Sequence, residues 1–408
     1  MMLVVLYWEM LMRRIFASIM WIRQLFVGLV SRLYKEEVLR VAIVGGSNSV
    51  MRKGYANYLD ASISKSASRP TQLNYYSLGG THSIYGLIQE DRHRISANND
   101  IIFFEYCVND RYAIEKNNYS LDAAGKVLEG FIRKVQGSNS NCLIVILLFR
   151  HLDHFHDENC QLSELYQQIA QRYRLPIVDV TRSLHCSSDT KQVRTLYEEA
   201  DPSHYSRPLG VKVVAQIITD ELNRIGVIQD LRLGRKQLKP SDVQPIYADN
   251  FHRLAFFDRF NDSQFFLEKP DVLVYQNSIF KERYFSISQE NALNFLLKGR
   301  LIAVYVKADL DHGFIKIEFN GHCIVTSTYA SWLNPVKPRN AITLVTLPLV
   351  RFSESCDFLP VSISNCLEQP EDFELEYHKV LPRQQDPRKW KLNIIGIAYI
   401  GGIKVANA

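Results

Sequence analysis

An apolar strand that ends abruptly in Gly-Gly-Ser constrains this chain more than any other stretch. Residues 39–50 read LRVAIVGGSNSV. Val41, Ala42, Ile43 and Val44 form a continuous apolar, partly β-branched run, the pattern of a strand buried on both faces of a parallel sheet. Gly45 and Gly46 then allow a tight turn where a side chain would be in the way. The Ser47 hydroxyl therefore falls just beyond the carboxyl end of a central strand, where open α/β sheets place their ligands. Ser47 is the candidate nucleophile. A Gly-Gly-Ser turn without chemistry is the plain alternative, and only partners elsewhere in the chain separate the two.

From Val41 to about Val227 strand and helix patterns alternate. Further strands are predicted at 72–77, 101–106, 143–149 and 176–180, with helices at 83–95, 121–135, 162–174 and 208–225. Five strands separated by helices predict a parallel sheet covered on both faces. Near 231–245 the sequence turns basic and Pro-bearing (GRKQLKPSDVQP), which reads as a linker. Beyond it the apolar period changes to two. FIKIEF alternates cleanly, and Asn320-Gly321 is a strong hairpin signal before HCIV. Similar runs at 271–275, 301–307, 342–347, 373–377 and 392–400 predict an antiparallel sandwich or jelly roll. The expected organisation is an amphipathic helical segment over 1–37, an α/β domain over 38–230, a linker over 231–248 and a β-sandwich domain over 249–408. A chain of 408 residues is long enough for two such domains.

The first 37 residues are apolar but interrupted by Glu9, Arg13, Arg14, Arg23 and Arg32, so no run approaches the ~20 residues of a spanning helix. No compact apolar core precedes a small-residue cleavage site, so a signal peptide is not expected. A basic amphipathic helix on a membrane surface and a helix docked on the protein itself both fit. Seven scattered cysteines without a Cys-x-x-Cys suit free thiols in a reducing compartment. The expected location is cytoplasmic, with peripheral membrane contact through the N-terminal segment left open. The formal charge of +5 is spread along the chain rather than gathered in a block, which argues against a nucleic-acid partner.

Three predicted strand ends carry small or polar residues: Ser47, Gly80 and Asn109. In a parallel sheet these ends share one edge. Asp201-Pro202-Ser203-His204, just before the last helix, joins them. Acyl transfer needs a nucleophile with a base, and His204 can take the proton from Ser47 while Asp201 holds the imidazole tautomer. The backbone N–H groups of Ser47 and Gly80 and the Asn109 amide can serve as oxyanion donors.

In this order of blocks the chain resembles the SGNH (GDSL-like) hydrolases over about Val41 to Val227. The resemblance implies a flavodoxin-like parallel sheet with helices on both faces, a catalytic Ser47, His204 and Asp201, an oxyanion hole of Ser47, Gly80 and Asn109, and neither cofactor nor metal. Asp110 would fix the loop beside Asn109. Two positions depart from the family pattern. Gly46 stands where Asp is common, and Cys107 where Gly is common, either narrowing the pocket or altering packing. Gly79 competes with Gly80 as oxyanion donor; Gly80 is preferred because the turn follows Gly79.

The expected activity is that of a serine esterase acting through an acyl-Ser47 intermediate. Its expected substrate is an O-acyl, typically acetyl, group on a carbohydrate or polysaccharide, by family habit rather than by any motif. An O-acyltransferase of polysaccharide biosynthesis could use the same residues, and a noncatalytic carbohydrate-binding protein is a third reading. His151, His154, His156 and Asp157 follow the fourth strand at the rim of the expected site, where substrate contact or solvent exposure fits their spacing better than metal ligation. Tyr329, Trp332 and Trp390 are candidates for stacking on sugar rings, although aromatic residues of a sandwich commonly serve its core.

Overall fold

The computed structural model describes residues 38–406, apart from 117–118, 158–159, 188–189, 229–241, 261–264, 267, 289–290, 334–341, 367, 369, 374, 376–378 and 383–385. The helical segment expected over 1–37, with its membrane reading, lies outside the described residues, as does most of the expected linker. No helix among the described residues is long and apolar enough to cross a membrane.

The first half carries strands β1 (Leu39–Gly45), β2 (Thr71–Tyr75), β3 (Ile101–Glu105), β4 (Leu143–Leu148) and β5 (Ile177–Asp179). They form one parallel sheet in the order β2-β1-β3-β4-β5, the flavodoxin-like arrangement. Helices α1 (Ser47–Val50), α2 (Tyr55–Ala67), α3 (Ser83–His93), α4 (Ile95–Asn98), α5 (Cys107–Glu115), α6 (Leu121–Ser138), α7 (Gln161–Tyr173), α8 (Val180–Ser187), α9 (Thr190–Thr195) and α10 (Leu209–Arg224) surround it. Alternate strand residues serve the two faces. Val41, Ile43, Ile101, Phe103 and Val145 pack with Tyr55, Leu59 and Ile63 of α2 and Val214 and Ile218 of α10. Ala42, Val44, Ile102, Phe104 and Ile144 pack with α3, α6 and α7 on the other side. A two-stranded ribbon, β6 (Tyr197–Glu198) and β7 (Asp201–Tyr205), precedes α10.

The second half holds β8 (Ala255–Phe257), β9 (Asp271–Gln276), β10 (Lys281–Ile287), β11 (Ala292–Asp309), β12 (Phe314–Phe319), β13 (His322–Ser327), β14 (Ile342–Pro348), β15 (Ser355–Asn365) and β16 (Leu392–Val405). These nine strands pair antiparallel throughout. Two long strands hold the array together. The first part of β11 pairs with β15 and its second part with β14. Gly299 and Gly401 face each other across β11 and β16 at φ +118° and +120°, and a Cβ on either would meet a carbonyl oxygen of the facing strand at 2.0 or 1.9 Å. The Asn320-Gly321 turn has both residues at positive φ, +52° and +76°, as the two-residue hairpin between β12 and β13 requires.

Several elements differ from the sequence reading. Helix α2 was not foreseen, because YANYLDASISKSA is poor in strong helix formers; it is held by burial of Tyr55, Leu59 and Ile63 at four-residue spacing. The stretch after β3, expected as a loop around Asn109 and Asp110, is instead the start of α5 at Cys107. Phe373 and Leu375, expected in a strand, lie outside one. Pro360 hides β15 from a sequence reading; in the fold it falls one residue outside the stretch, Val361–Asn365, that pairs with β12.

The two sheets share a buried contact. Arg92 on α3 donates two hydrogen bonds to Glu282 on β10, at 3.0 and 2.7 Å, and lies over the rings of Phe256 and Tyr305. Asp91 accepts from the Phe256 N–H at 2.8 Å and pairs with Lys134, which also donates to the Leu254 carbonyl. Glu129 of α6 accepts from the backbone N–H groups of Ile246 and Tyr247, both at 2.7 Å. Leu78 and Tyr85 join Tyr284, Tyr305, Leu344 and Ile395 in one apolar cluster.

Candidate active site

The first four parallel strands end on one edge, and each is followed by a segment that reaches the same place. The Gly46 N–H donates to the Glu105 carbonyl at 3.0 Å, so the chain stays tied to β3 as it turns into α1 and Ser47. Beyond β2 the chain continues beside β1: Tyr76 N–H donates to the Ile43 carbonyl and Leu78 N–H to that of Gly45. This delivers Gly79 against Ser47, where a Cβ would lie 3.5 Å from the Ser47 Cβ. Gly80 adopts φ +65°, and a Cβ there would sit 2.3 Å from the Trp332 ring. Trp332, from the second half of the chain, therefore covers the glycine turn.

Asn109 lies in the first turn of α5 and is buried. Its side chain occupies the space above Gly46, where a Cβ would be 2.0 Å from Asn109 Oδ1. Gly46 thus makes room for the Asn109 amide beside the Ser47 turn. Asp110 accepts from Ser83 N–H at 2.8 Å and Tyr166 hydroxyl at 2.5 Å, tying α5 to α3 and α7. Burial raises its carboxyl to about 6 despite these bonds. Cys107 is buried with its sulfur 3.6 Å from the Ser163 hydroxyl, so it fills the core under α7 rather than narrowing a pocket.

His204 Nδ1 is 2.7 Å from Asp201 Oδ2, and Asp201 also accepts from the Ser203 N–H. Partial burial pushes the Asp201 carboxyl upward, but His204 beside it and the Ser203 bonds outweigh that and hold it below its ordinary value. One residue that the sequence reading passed over joins this ribbon to Ser47. Asn48 donates from Nδ2 to the Ser203 carbonyl at 2.9 Å and accepts the Tyr205 N–H at 3.4 Å. A single buried amide next to the candidate nucleophile therefore grips the backbone on both sides of His204.

Beneath the turn lies a second unanticipated group. Glu105, the last residue of β3, is 1% exposed and accepts from the Ser49 hydroxyl at 2.8 Å, which also meets Tyr55. Burial raises its carboxyl to about 8, the Ser49 bond opposing. Its position after an apolar strand run was visible in the sequence; its enclosure was not.

The histidine cluster packs beside the His204 ribbon. His151 is buried, accepts from Asp153 N–H and stands edge-on to Tyr112, while His154 approaches Glu115 at 3.5 Å. His156 stacks edge-on with Phe155 and His185, and Asp157 pairs with Arg111. Tyr329 belongs to the main apolar cluster of the β-rich half and Trp390 to a smaller one with Phe314, whereas Trp332 is half-buried, packing on that main cluster and over Gly80. All seven cysteines are unpaired.

No protein-family model matches the sequence, and no curated protein matches it. Among solved structures, the chain is similar to a two-domain esterase active on acetylated mannans. In its own crystal structure that esterase is 15% identical, with a TM-score of 0.60 over 92% of this chain and 95% of the other. Co-crystallised with mannopentaose it is 14% identical, with a TM-score of 0.59 over 92% and 94%. The chain has the fold of this two-domain esterase. The likeness spans both sheets, so the pairing of a parallel α/β sheet with an antiparallel β-rich half is a property of the whole architecture.

Proposed function

We propose that this chain is a serine esterase that removes O-acetyl groups from a carbohydrate polymer through an acyl-Ser47 intermediate. The observation that carries the reading is the grip of Asn48 on both sides of His204, which draws the Ser47 turn and the Asp201–His204 ribbon to one strand edge. His204 would accept the Ser47 proton as the hydroxyl attacks the acyl carbon, then return it to the departing sugar oxygen. Asp201, held ionised, would keep Nδ1 protonated and Nε2 free to accept. The Asn109 amide over Gly46 and the N–H groups of Ser47 and Gly80 would donate to the oxyanion. The acetylated-mannan activity of the structural neighbour supports a carbohydrate ester as substrate.

The test is incubation of the full chain with p-nitrophenyl acetate and with O-acetylated oligosaccharides, with and without a sugar acceptor, following acetate and acylated acceptor by mass. Free acetate in both conditions is the expected result; transfer of the acyl group to the acceptor in its place would overturn the hydrolase reading. Ser47→Ala and His204→Ala should each lower turnover on the order of a thousandfold, and the double variant should be hardly worse, because the two act as a unit.

A further inference from the structure

A cleft of about 780 Å³ opens beside the candidate site, between the α1–α2 connection, the outer strand β2 and the turn joining β9 to β10. Val50, on the same helical turn as Ser47, lies at its near end, and the Val50 side chain approaches Gly79 as Ser47 does. Arg52 and Lys53 line it, together with Asn57, Asn74, Tyr75 and Ile279, and no carboxylate does. Asp60, which faces Tyr75 from α2, is engaged by the Thr71 hydroxyl. Arg52 and Lys53 are exposed, and neither has an ion-pair partner among the described residues.

The walls of the cleft mark these cations as more than a solvated turn. Lys53 sits at φ +58°, a left-handed conformation that Arg94 and Arg174 share at helix ends and that a glycine would adopt freely. The exposed ring of Tyr75 and the exposed side chain of Ile279 form apolar walls across from the charges. A flat apolar wall, two amide side chains and two unpaired cations make a surface suited to a sugar ring that carries negative charge.

We propose that this cleft holds an anionic unit of the acylated polymer, a sugar bearing a carboxylate or a phosphate near the one whose ester meets Ser47. Arg52 and Lys53 are its counter-charges. This rests on the esterase reading for its place in the reaction, but the binding itself does not require turnover.

The experiment has two parts. In the first, the full-length Ser47→Ala protein is titrated calorimetrically with uronate oligomers, with phosphodiester-bearing oligosaccharides and with neutral manno-oligosaccharides. Anionic oligomers should bind more tightly than neutral ones, and the difference should shrink with added salt. The anion that binds better identifies the charged group. Arg52→Gln/Lys53→Gln should reduce that preference by about tenfold, the order expected of two exposed charge pairs. Lys53→Gly removes the cation while relieving the left-handed backbone, so its melting temperature should not fall while anion binding weakens; this separates binding from folding. In the second part, kcat/KM is compared on acetylated uronate and acetylated neutral oligosaccharides. Binding without turnover would leave the cleft standing and remove the esterase reading. Equal binding of anionic and neutral oligomers, or a preference unmoved by the charge substitutions, would overturn the cleft assignment whatever the turnover.

Discussion

Replacing Glu105 with Gln isolates the energetic role of the carboxyl under the Ser47 turn. Burial raises that carboxyl from 4.5 to about 8, so the folded protein keeps the proton over a range in which the unfolded chain has lost it. Stability from this group is fully present below about pH 4.5 and is lost as pH rises toward 8, at about 1.4 kcal/mol per pH unit. Above about pH 8 both states are ionised and the slope from this group vanishes. Glutamine has nearly the same shape, accepts the Ser49 bond through its carbonyl and never ionises. The variant should match the parent near pH 5 and exceed it by roughly 3–4 kcal/mol at pH 8, a large part of the 5–15 kcal/mol that typically holds a domain together.

Urea denaturation from pH 5 to 9 reads this directly, and the difference between the two proteins is the relevant quantity. Asp201, lowered, titrates alike in both and cancels, while the charge of Asp110 is one of the causes that raise Glu105 and so belongs to the difference being read. Two parallel stability curves would show that Glu105 is not held neutral and would refute the burial argument. Glu105→Ala serves as a contrast. It should cost about 2–4 kcal/mol even at pH 5, because it leaves a cavity and an unpaired Ser49 hydroxyl.

Three further outcomes follow from the same geometry. Gly46→Ala should lower kcat on acetyl esters about a hundredfold, because its Cβ would displace the Asn109 amide, and Asn109→Ala added to it should cost little more; full activity in Gly46→Ala would remove Asn109 from the oxyanion site. Asn48→Ala should lower kcat about tenfold or more with KM little changed, since the ribbon bearing His204 loses two backbone bonds; an equal loss on binding alone would mean that the amide serves only the fold. A chain ended near Gly234 should fail to give a cooperative thermal melt, and a folded, active fragment would contradict the shared core described above.

The strands that carry the candidate site were legible because a parallel sheet covered on both faces demands continuous apolar runs, and Val41–Val44, Ile101–Phe104 and Leu143–Leu148 have no other reading. The Asn320-Gly321 hairpin was legible because its backbone needs positive φ at two successive residues. Asn48 was not, since its partners lie 155 and 157 positions away and a polar residue after a Gly-Gly-Ser turn looks like part of the turn. Glu105 was hidden for a related reason: one carboxyl at the end of an apolar run reads as the point where the strand meets water. Only the Gly45-Gly46 turn folding over it, and Tyr55 arriving from α2, close it off. Among the aromatic candidates, sequence alone could not separate Trp390 in the core from Trp332 at the site, because the difference is made by the other half of the chain.

That last contact changes how the two halves depend on each other. Every residue proposed for the chemistry falls between Ser47 and His204, so a sequence argument expects the first half to suffice for a small ester. In the fold, the loop that presents Gly79 and Gly80 is anchored from both sides. Leu78 is bound to β1 and buried against Tyr284 and Tyr305, and the Gly80 turn lies under Trp332. Arg92 is enclosed between the halves; removing Glu282 would leave it only the more exposed Asp258, 4.0 Å away, and should cost up to about 3–5 kcal/mol, the loss seen when a buried pair is broken. An oxyanion donor is effective only while held in place, since misplacement of about 1 Å can cost a hundredfold. The β-rich half supplies the surface against which the glycine loop is set, so the chemistry proposed for the first half should depend on it even for a substrate too small to reach it.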